Sequence, residues 1–394
     1  MYKRIFLLVM DSLGVGYDSS SYLYGDEGAN TLKHIDESVN GLTIPTLHSL
    51  GMADFASLKN YQPIDHKHSF TLTLNESSLG KDTLTGHWEM MGVYTTKPFK
   101  TFTDTGFPKE LIDLLEKETG HKIIGNKAAS GTEIIKELGE EQMRDNSLIV
   151  YTSSDSVLQI AAHEEVTGLD ELYRVSEIAR NICMKDEYKV ARIIARPFIG
   201  TNKDNFKRTP NRHDYALEPE IDTVLDLLNN NGYKVHSIGK INDIFASKGI
   251  NSKVKTTSNT DGMNKTMEYA SSIKEEGLCF VNLVEFDSEY GHRRNPSGYA
   301  LAIETFDKEL QHLIDLLNED DLLLISADHG NDPTWKGTDH TREKVPLIIY
   351  SKRIENGRYL NERSSFGDIG MTILENYHIK KNKNLIGVPI KEVL

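Results

Sequence analysis

"LLLISADHGNDPTWKGTDHT", residues 322–341, begins apolar and ends polar. The run Leu322–Ser326 has the length and branching of a buried strand. Directly behind it come Asp328 and His329, with His340 further along the same loop. Two other runs end the same way. Arg4–Met10 leads into Asp11, and Leu278–Val284 leads into Glu285 and Asp287, where "EFDSEYGHRR" adds His292 across a glycine. Ser147–Tyr151, Val190–Ala195, Lys234–Ile238 and Pro346–Tyr350 also read as buried strands.

Amphipathic helices alternate with these strands. In "EIDTVLDLLNNNGY" the stripe Ile221, Val224, Leu225 and Leu228 predicts a helix that Gly232 stops. About Ser297–Leu317, the inward side is expected to be Leu301, Phe306, Leu310, Leu313, Ile314 and Leu317. Strand and helix in alternation predict an α/β doubly wound sheet, whose chemistry gathers at the carboxyl ends of its strands. The stretch from Phe99 to Tyr215 is richer in helical pattern and basic residues and reads as a cap inserted into the core. The expected domains are therefore 1–98 with 216–394, and 99–215.

The chain has 394 residues, 38% of them hydrophobic, and a net charge of −14. That balance argues against a nucleic-acid binder, which needs a basic face. Two cysteines, Cys183 and Cys279, make neither a disulfide framework nor a zinc ribbon. Cys279 lies in the apolar run "LCFVNLV" and should pack in the core. "MYKRIFLLVMDS" is too short before Asp11 for a secretory core and reads as a first strand. No apolar stretch is long enough to span a membrane. A cytoplasmic protein is expected.

Asp11, Asp287, His292, Asp328, His329 and His340 form a pool of aspartates and histidines on loops. Carboxylates with imidazoles suit manganese, zinc or iron, and the absence of thiolates argues against a structural zinc. Six ligands exceed what one open catalytic ion needs, and suit two ions about 3.5–4 Å apart serving phosphoryl chemistry. Such a site calls for a nucleophile on a tight loop. "GKDTLTGHWEMMG", residues 80–92, offers Thr83 and Thr85, although Asp82 and Thr83 would equally cap a helix.

"MDSLGVG", "GKDTLTGHWEMMG", "YTSSDSVLQIAAHEE", "ARIIARPFIG", "RTPNRHDYAL", "EFDSEYGHRR" and "ADHGNDPTWKGTDHTREKVPLI" together resemble the bacterial-type phosphopentomutases, a family of the alkaline phosphatase superfamily. The resemblance runs from about residue 5 to the last. It implies an alkaline-phosphatase-like core with an inserted smaller α/β cap. It also implies two manganese ions per subunit, one held by Asp11, Asp328 and His329 and the other by Asp287, His292 and His340. It selects Thr85 as the phosphorylated nucleophile. Substrate contacts carry over to Arg192, Arg196, Arg208, Arg212 and Lys240 as phosphate donors, to Asp155 as acceptor for a sugar hydroxyl, and to His213 with Asp214 beside them.

The implied activity interconverts ribose 1-phosphate, or its 2-deoxy form, with the 5-phosphate. It passes through phosphothreonine and a sugar 1,5-bisphosphate, under a cap that keeps water out. Glucose 1,6-bisphosphate or ribose 1,5-bisphosphate would prime the enzyme, and the reaction would serve nucleoside breakdown. The alternative is a sugar-phosphate phosphatase of the same superfamily. Small sugar phosphates are the expected partners, without nucleic acid or membrane, and a monomer is expected.

Overall fold

Seven buried residues, Arg4–Met10, make strand β1 at the middle of the larger sheet. The computed structural model describes residues 1–153 and 156–394. These fall into two compact units, Met1–Pro98 with Pro219–Leu394, and Phe99–Glu218.

The first unit holds β1, β2 (Ser69–Leu74), β9 (Lys234–Ile238), β10 (Ser252–Val254), β11 (Gly277–Leu283), β12 (Asp321–Ser326), β13 (Val345–Tyr350) and β14 (Arg358–Tyr359). Their order is β10-β9-β11-β1-β12-β13-β2-β14. β11, β1 and β12 run parallel, with Met10 opposite Leu283 and Val9 opposite Ser326. Their carboxyl ends therefore share one edge of the sheet. β13 and β2 pair antiparallel and carry the sheet outward on the other side of β12.

The second unit holds β3 (Ile123–Ala128), β4 (Leu148–Thr152), β5 (Val157–His163), β6 (Arg192–Ile199), β7 (Lys207–Arg208) and β8 (His213–Ala216). Helices Lys109–Thr119 and Leu169–Ile182 bury Leu111, Leu115, Leu172 and Val175 in one apolar cluster. Ile134 and Ile135 of helix Gly131–Asp145 pack into a second cluster with Tyr151 and Phe198.

Two helix readings need correction. Leu301 is 64% exposed, because helix Pro296–Leu316 turns inward on Tyr299, Ile303, Phe306, Leu310 and Leu313. Leu301 lies two residues from Ile303, about 200° round a 3.6-residue helix, and so points away. Ile221 is only half-buried, because its helix starts at Val224. There Thr223 and Asp226 form a reciprocal capping box, and Gly232 follows with a left-handed φ of 86°. Both cysteines are buried. Among the described residues no helix is long and apolar enough to cross a membrane.

Candidate metal and phosphoryl-transfer site

Asp11, Asp287 and Asp328 follow β1, β11 and β12 and are buried together. Asp287 stands on a π-helical turn, Phe286–Gly291. His292 N–H donates to the Asp287 carbonyl at 2.9 Å. This wide turn explains the five-residue spacing, since it brings His292 Nε2 to 3.2 Å from Asp287 Oδ2. His340 Nε2 lies 3.0 Å from His292 Nε2 and 3.5 Å from Asp287 Oδ1. His329 Nε2 lies 3.6 Å from Asp11 Oδ1 and 3.3 Å from Asp328 Oδ2.

All six expected ligands thus come together, from positions spread across the chain. The donor atoms of Asp11, Asp328 and His329 lie within 4.8 Å of one another, as do those of Asp287, His329 and His340. His329 therefore borders both groups instead of one, and His292 joins the second through Asp287 and His340.

The surroundings are those of a cation site. Asp11 Oδ1 is buried and accepts no hydrogen bond, and Asp328 Oδ2 is buried beside the imidazoles of His87 and His329. Buried polar atoms are ordinarily paired, and a bare carboxylate oxygen in the interior is costly. Burial, then the charges of Asp328 and Asp287, push the Asp11 carboxyl well above its usual range, against the pull of Lys240. Burial draws the His329 imidazole down to about 4, which keeps it neutral and able to ligate near pH 7. Neighbouring groups aim the ligands. Asn282 donates to Asp11 Oδ2 at 2.8 Å, Asn331 to Asp287 Oδ1 at 2.7 Å, and the Ser12 N–H to Asp328 Oδ1 at 3.0 Å. His292 Nδ1 lies 2.8 Å from the Thr338 carbonyl, which leaves Nε2 facing the cluster.

Divalent ions should accordingly stabilise the fold. At a free concentration one hundred times the dissociation constant the expected gain is about 2.7 kcal/mol per ion. Thermal melts with and without chelator check this, and an identical melting temperature in the two would contradict it.

Helix Thr83–Met90 starts beside these ligands, with Asp82 as its cap. Asp82 Oδ1 accepts from the Leu84 and Thr85 N–H groups, and Thr85 Oγ1 donates to Asp82 Oδ2 at 2.6 Å. Thr85 is fully buried and its hydroxyl is engaged in holding the cap. Thr83 is 9% exposed, and its Oγ1 lies 3.2 Å from His329 Nε2. Thr83 thus contacts the ligand cluster, while the hydroxyl of Thr85, which the family resemblance selected, bonds to Asp82. Gly86 permits the approach, since a Cβ there would lie 2.0 Å from the Asp328 carbonyl oxygen.

Sequence reasoning passed over several positioning residues. His87 Nδ1 sits 2.8 Å from the Thr83 carbonyl and 3.2 Å from Asp328 Oδ2, tying the helix to a ligand. Glu89 accepts from the Ser77 and Ser78 N–H groups at 2.9 and 2.6 Å. Arg342, buried two residues after His340, donates to the carbonyls of Glu76, Ser78 and Gly80 and to the Glu76 carboxylate. The loop leading to Thr83 is thus gripped from both sides. "GHWE" and "HTRE" carried these residues in plain view, but only their contacts reveal the role.

In the Phe99–Glu218 unit, Arg212 makes a two-pronged pair with Asp214, 2.6 Å at each contact, and Arg192 Nη1 lies 3.8 Å from the same carboxylate. Arg196 Nε donates to Gln159 Oε1 at 3.0 Å. His213 does not join them. It is opposite Ala195 in register, and its ring packs by Tyr173 and Tyr215, with centroids 5.6 and 4.6 Å away. Successive residues of a strand face opposite ways, and this sends His213 to the face away from Arg196. Lys240, in the other unit, precedes the short helix Ile241–Ile244, and its charge acts on Asp11. Asp155 lies outside the described residues.

Buried aspartates and histidines at the ends of parallel strands, grouped beside a hydroxyl on a helix start, describe a metal-dependent enzyme. The metalloenzyme superfamily profile matches residues 3–381, and the chain belongs to that superfamily. The phosphopentomutase of Clostridium tetani is 54% identical over 395 residues, covering 100% of this chain and 99% of that protein. The Clostridium beijerinckii phosphopentomutase is also 54% identical, over 98% of this chain and 97% of its own length. The chain belongs to the phosphopentomutase family and is an isomerase of that kind. A solved Leishmania mexicana phosphoglycerate mutase overlays 98% of this chain and 97% of its own at 11% identity and a TM-score of 0.49, too distant to carry a conclusion.

Proposed function

We propose that the chain interconverts the 1- and 5-phosphates of ribose and 2-deoxyribose through a phosphoryl group carried on Thr83. The observation that supports this best is the 3.2 Å approach of Thr83 Oγ1 to His329 Nε2 beside the ligand cluster. The phosphoryl group leaves Thr83 Oγ for the free hydroxyl of a sugar monophosphate. The sugar 1,5-bisphosphate then returns its other phosphoryl group to Thr83, and the isomeric monophosphate departs.

A threonine hydroxyl is a weak nucleophile at its own acidity. Two ions, held by Asp11, Asp328 and His329 and by Asp287, His292 and His340, would supply the acidifying and charge-neutralising chemistry of a two-metal site, and manganese suits these donors. Asp82 and Thr85 hold the helix start so that Thr83 is presented in one orientation. The transition state is loose and strongly anionic, so positioning and cationic donors carry most of the catalysis. Arg192, Arg196, Arg208, Arg212 and Lys240 are donors for the distal phosphate of the sugar; His213, turned to the other face of its sheet, is not. Asp155 accepts from a sugar hydroxyl. Glucose 1,6-bisphosphate or ribose 1,5-bisphosphate primes Thr83, and the enzyme works as a cytoplasmic monomer on free sugar phosphates.

Phosphorus NMR of the manganese-loaded protein with ribose 5-phosphate and catalytic glucose 1,6-bisphosphate tests the reaction. Ribose 1-phosphate should appear with only traces of inorganic phosphate. Steady phosphate release without the 1-phosphate would mean a phosphatase instead.

A further inference from the structure

Arg294 stands two residues after His292 with a left-handed φ of 51°, a conformation that residues with a side chain adopt at a cost. Its N–H closes the turn on the Gly291 carbonyl at 3.1 Å, and its guanidinium lies across the neighbouring ligand loop. Nε donates to the Gly337 carbonyl at 2.6 Å and Nη2 to the Asp339 carbonyl at 3.1 Å. Nη1 donates to Asn331 Oδ1 at 2.7 Å and to the Asp332 carbonyl at 2.8 Å. A guanidinium is planar and rigid, so one such fork fixes its acceptors relative to one another.

These contacts lead to the second ligand group, one ligand at a time. Asn331, held by Nη1, donates to Asp287 Oδ1 at 2.7 Å. Thr338 lies between the two gripped carbonyls, and its own carbonyl meets His292 Nδ1 at 2.8 Å. Asp339 directly precedes His340 and accepts its N–H on Oδ1 at 2.8 Å. Asp11 and Asp328 are steadied by other groups, Asn282 and the Ser12 N–H. The segment before His340 needs such a tie. Residues 336–339 are exposed and Gly337 is left-handed at φ 75°, so little apolar packing sets their path. Lys81 reaches the Asp339 carboxylate at 3.2 Å, but that side chain is 62% exposed and such pairs are weak.

We propose that Arg294 is a positioning residue for the second metal ion, setting Asp287, His292 and His340 in place through Asn331, Thr338 and Asp339. The inference rests on the two-ion reading. Charge alone makes the opposite prediction, since a cation beside the site repels a divalent ion and its removal should tighten binding. Positioning predicts a loss, and groups that hold metal ligands from behind are worth about 10–100-fold in affinity.

The test titrates the full-length, manganese-loaded chain with a chelator, in wild type, Arg294→Met and Arg294→Lys. Bound manganese is read by elemental analysis and by electron paramagnetic resonance. Wild type should hold two ions, and ions about 3.5–4 Å apart should give a coupled, broadened spectrum. Arg294→Met should hold its first ion within about two-fold of the wild-type affinity and its second about 10–100-fold more weakly. At chelator levels that leave wild type coupled, it should show the sharp hyperfine lines of uncoupled ions. Arg294→Lys keeps the charge without the fork and should lose second-ion affinity as well, which keeps the test open if methionine does not fold. Two ions held with unmoved or tightened affinity in both variants would overturn the role of Arg294 and leave the two-ion site standing. Equal weakening of both ions would also overturn it, marking a general loss of structure. A single ion in wild type would refute the two-ion reading, and the proposal with it.

Discussion

Thr83→Val should abolish turnover, by a factor on the order of 10⁴–10⁶, while metal content and melting temperature stay close to wild type. Losses of that size follow when a covalent nucleophile is removed and the surrounding binding groups remain. Valine keeps the shape of threonine and removes only Oγ1, the atom that meets His329 Nε2 at 3.2 Å. Thr85→Val should behave differently. Its hydroxyl donates to Asp82 Oδ2, so its loss weakens a helix cap without removing the phosphoryl acceptor. The expected cost is about 0.5–2 kcal/mol of stability, the usual worth of a cap, with activity reduced but present. Steady-state rates and unfolding curves of the two variants decide between them. Full activity in Thr83→Val with none in Thr85→Val would reverse the assignment.

Arg342→Met should cost about 3–5 kcal/mol of folding stability, because removing one partner of a buried ion pair leaves the other charge uncompensated. The guanidinium is among the largest fully buried side chains and pairs with Asp18 and Glu76. Methionine would also leave the carbonyls of Glu76, Ser78 and Gly80 without their donor. Burial already pushes the Glu76 carboxyl well above its usual range, against the pull of Arg342. A carboxyl with a raised value in the fold favours folding when protonated, and that contribution is lost as pH rises through the raised value. The cost of Arg342→Met should therefore be larger at pH 8 than at pH 5. Denaturant unfolding at the two pH values measures it, and a change under about 1 kcal/mol at both would contradict the buried-network account.

Much of this was legible in the sequence because of its periodicity. Buried runs ending in acids marked β1, β11 and β12, and parallel neighbours must bring their ends to one edge. What stayed hidden had physical reasons. β2, "SFTLTL", alternates hydroxyls with apolar residues and looks half-exposed, yet every residue in it is buried. β5, "VLQIAAH", carries Gln159, His163 and two alanines, which weaken its strand signal although it is wholly buried. Leu301 looked like core because a leucine count ignores the helix angle. The choice between Thr85 and Thr83 is of another kind. Two hydroxyls two residues apart on a helix point in different directions, and only the placement of Asp82 and His329 tells which one is spent on the cap. Arg342 could not be found from a motif, because its partners lie more than two hundred and fifty residues away in the chain.

The most direct measurement is peptide mass spectrometry of the manganese-loaded protein after incubation with glucose 1,6-bisphosphate, which locates the covalent phosphate. The expected result is a single phosphothreonine at Thr83. Phosphate on Thr85, or an active enzyme that carries none, would contradict the relay set out above.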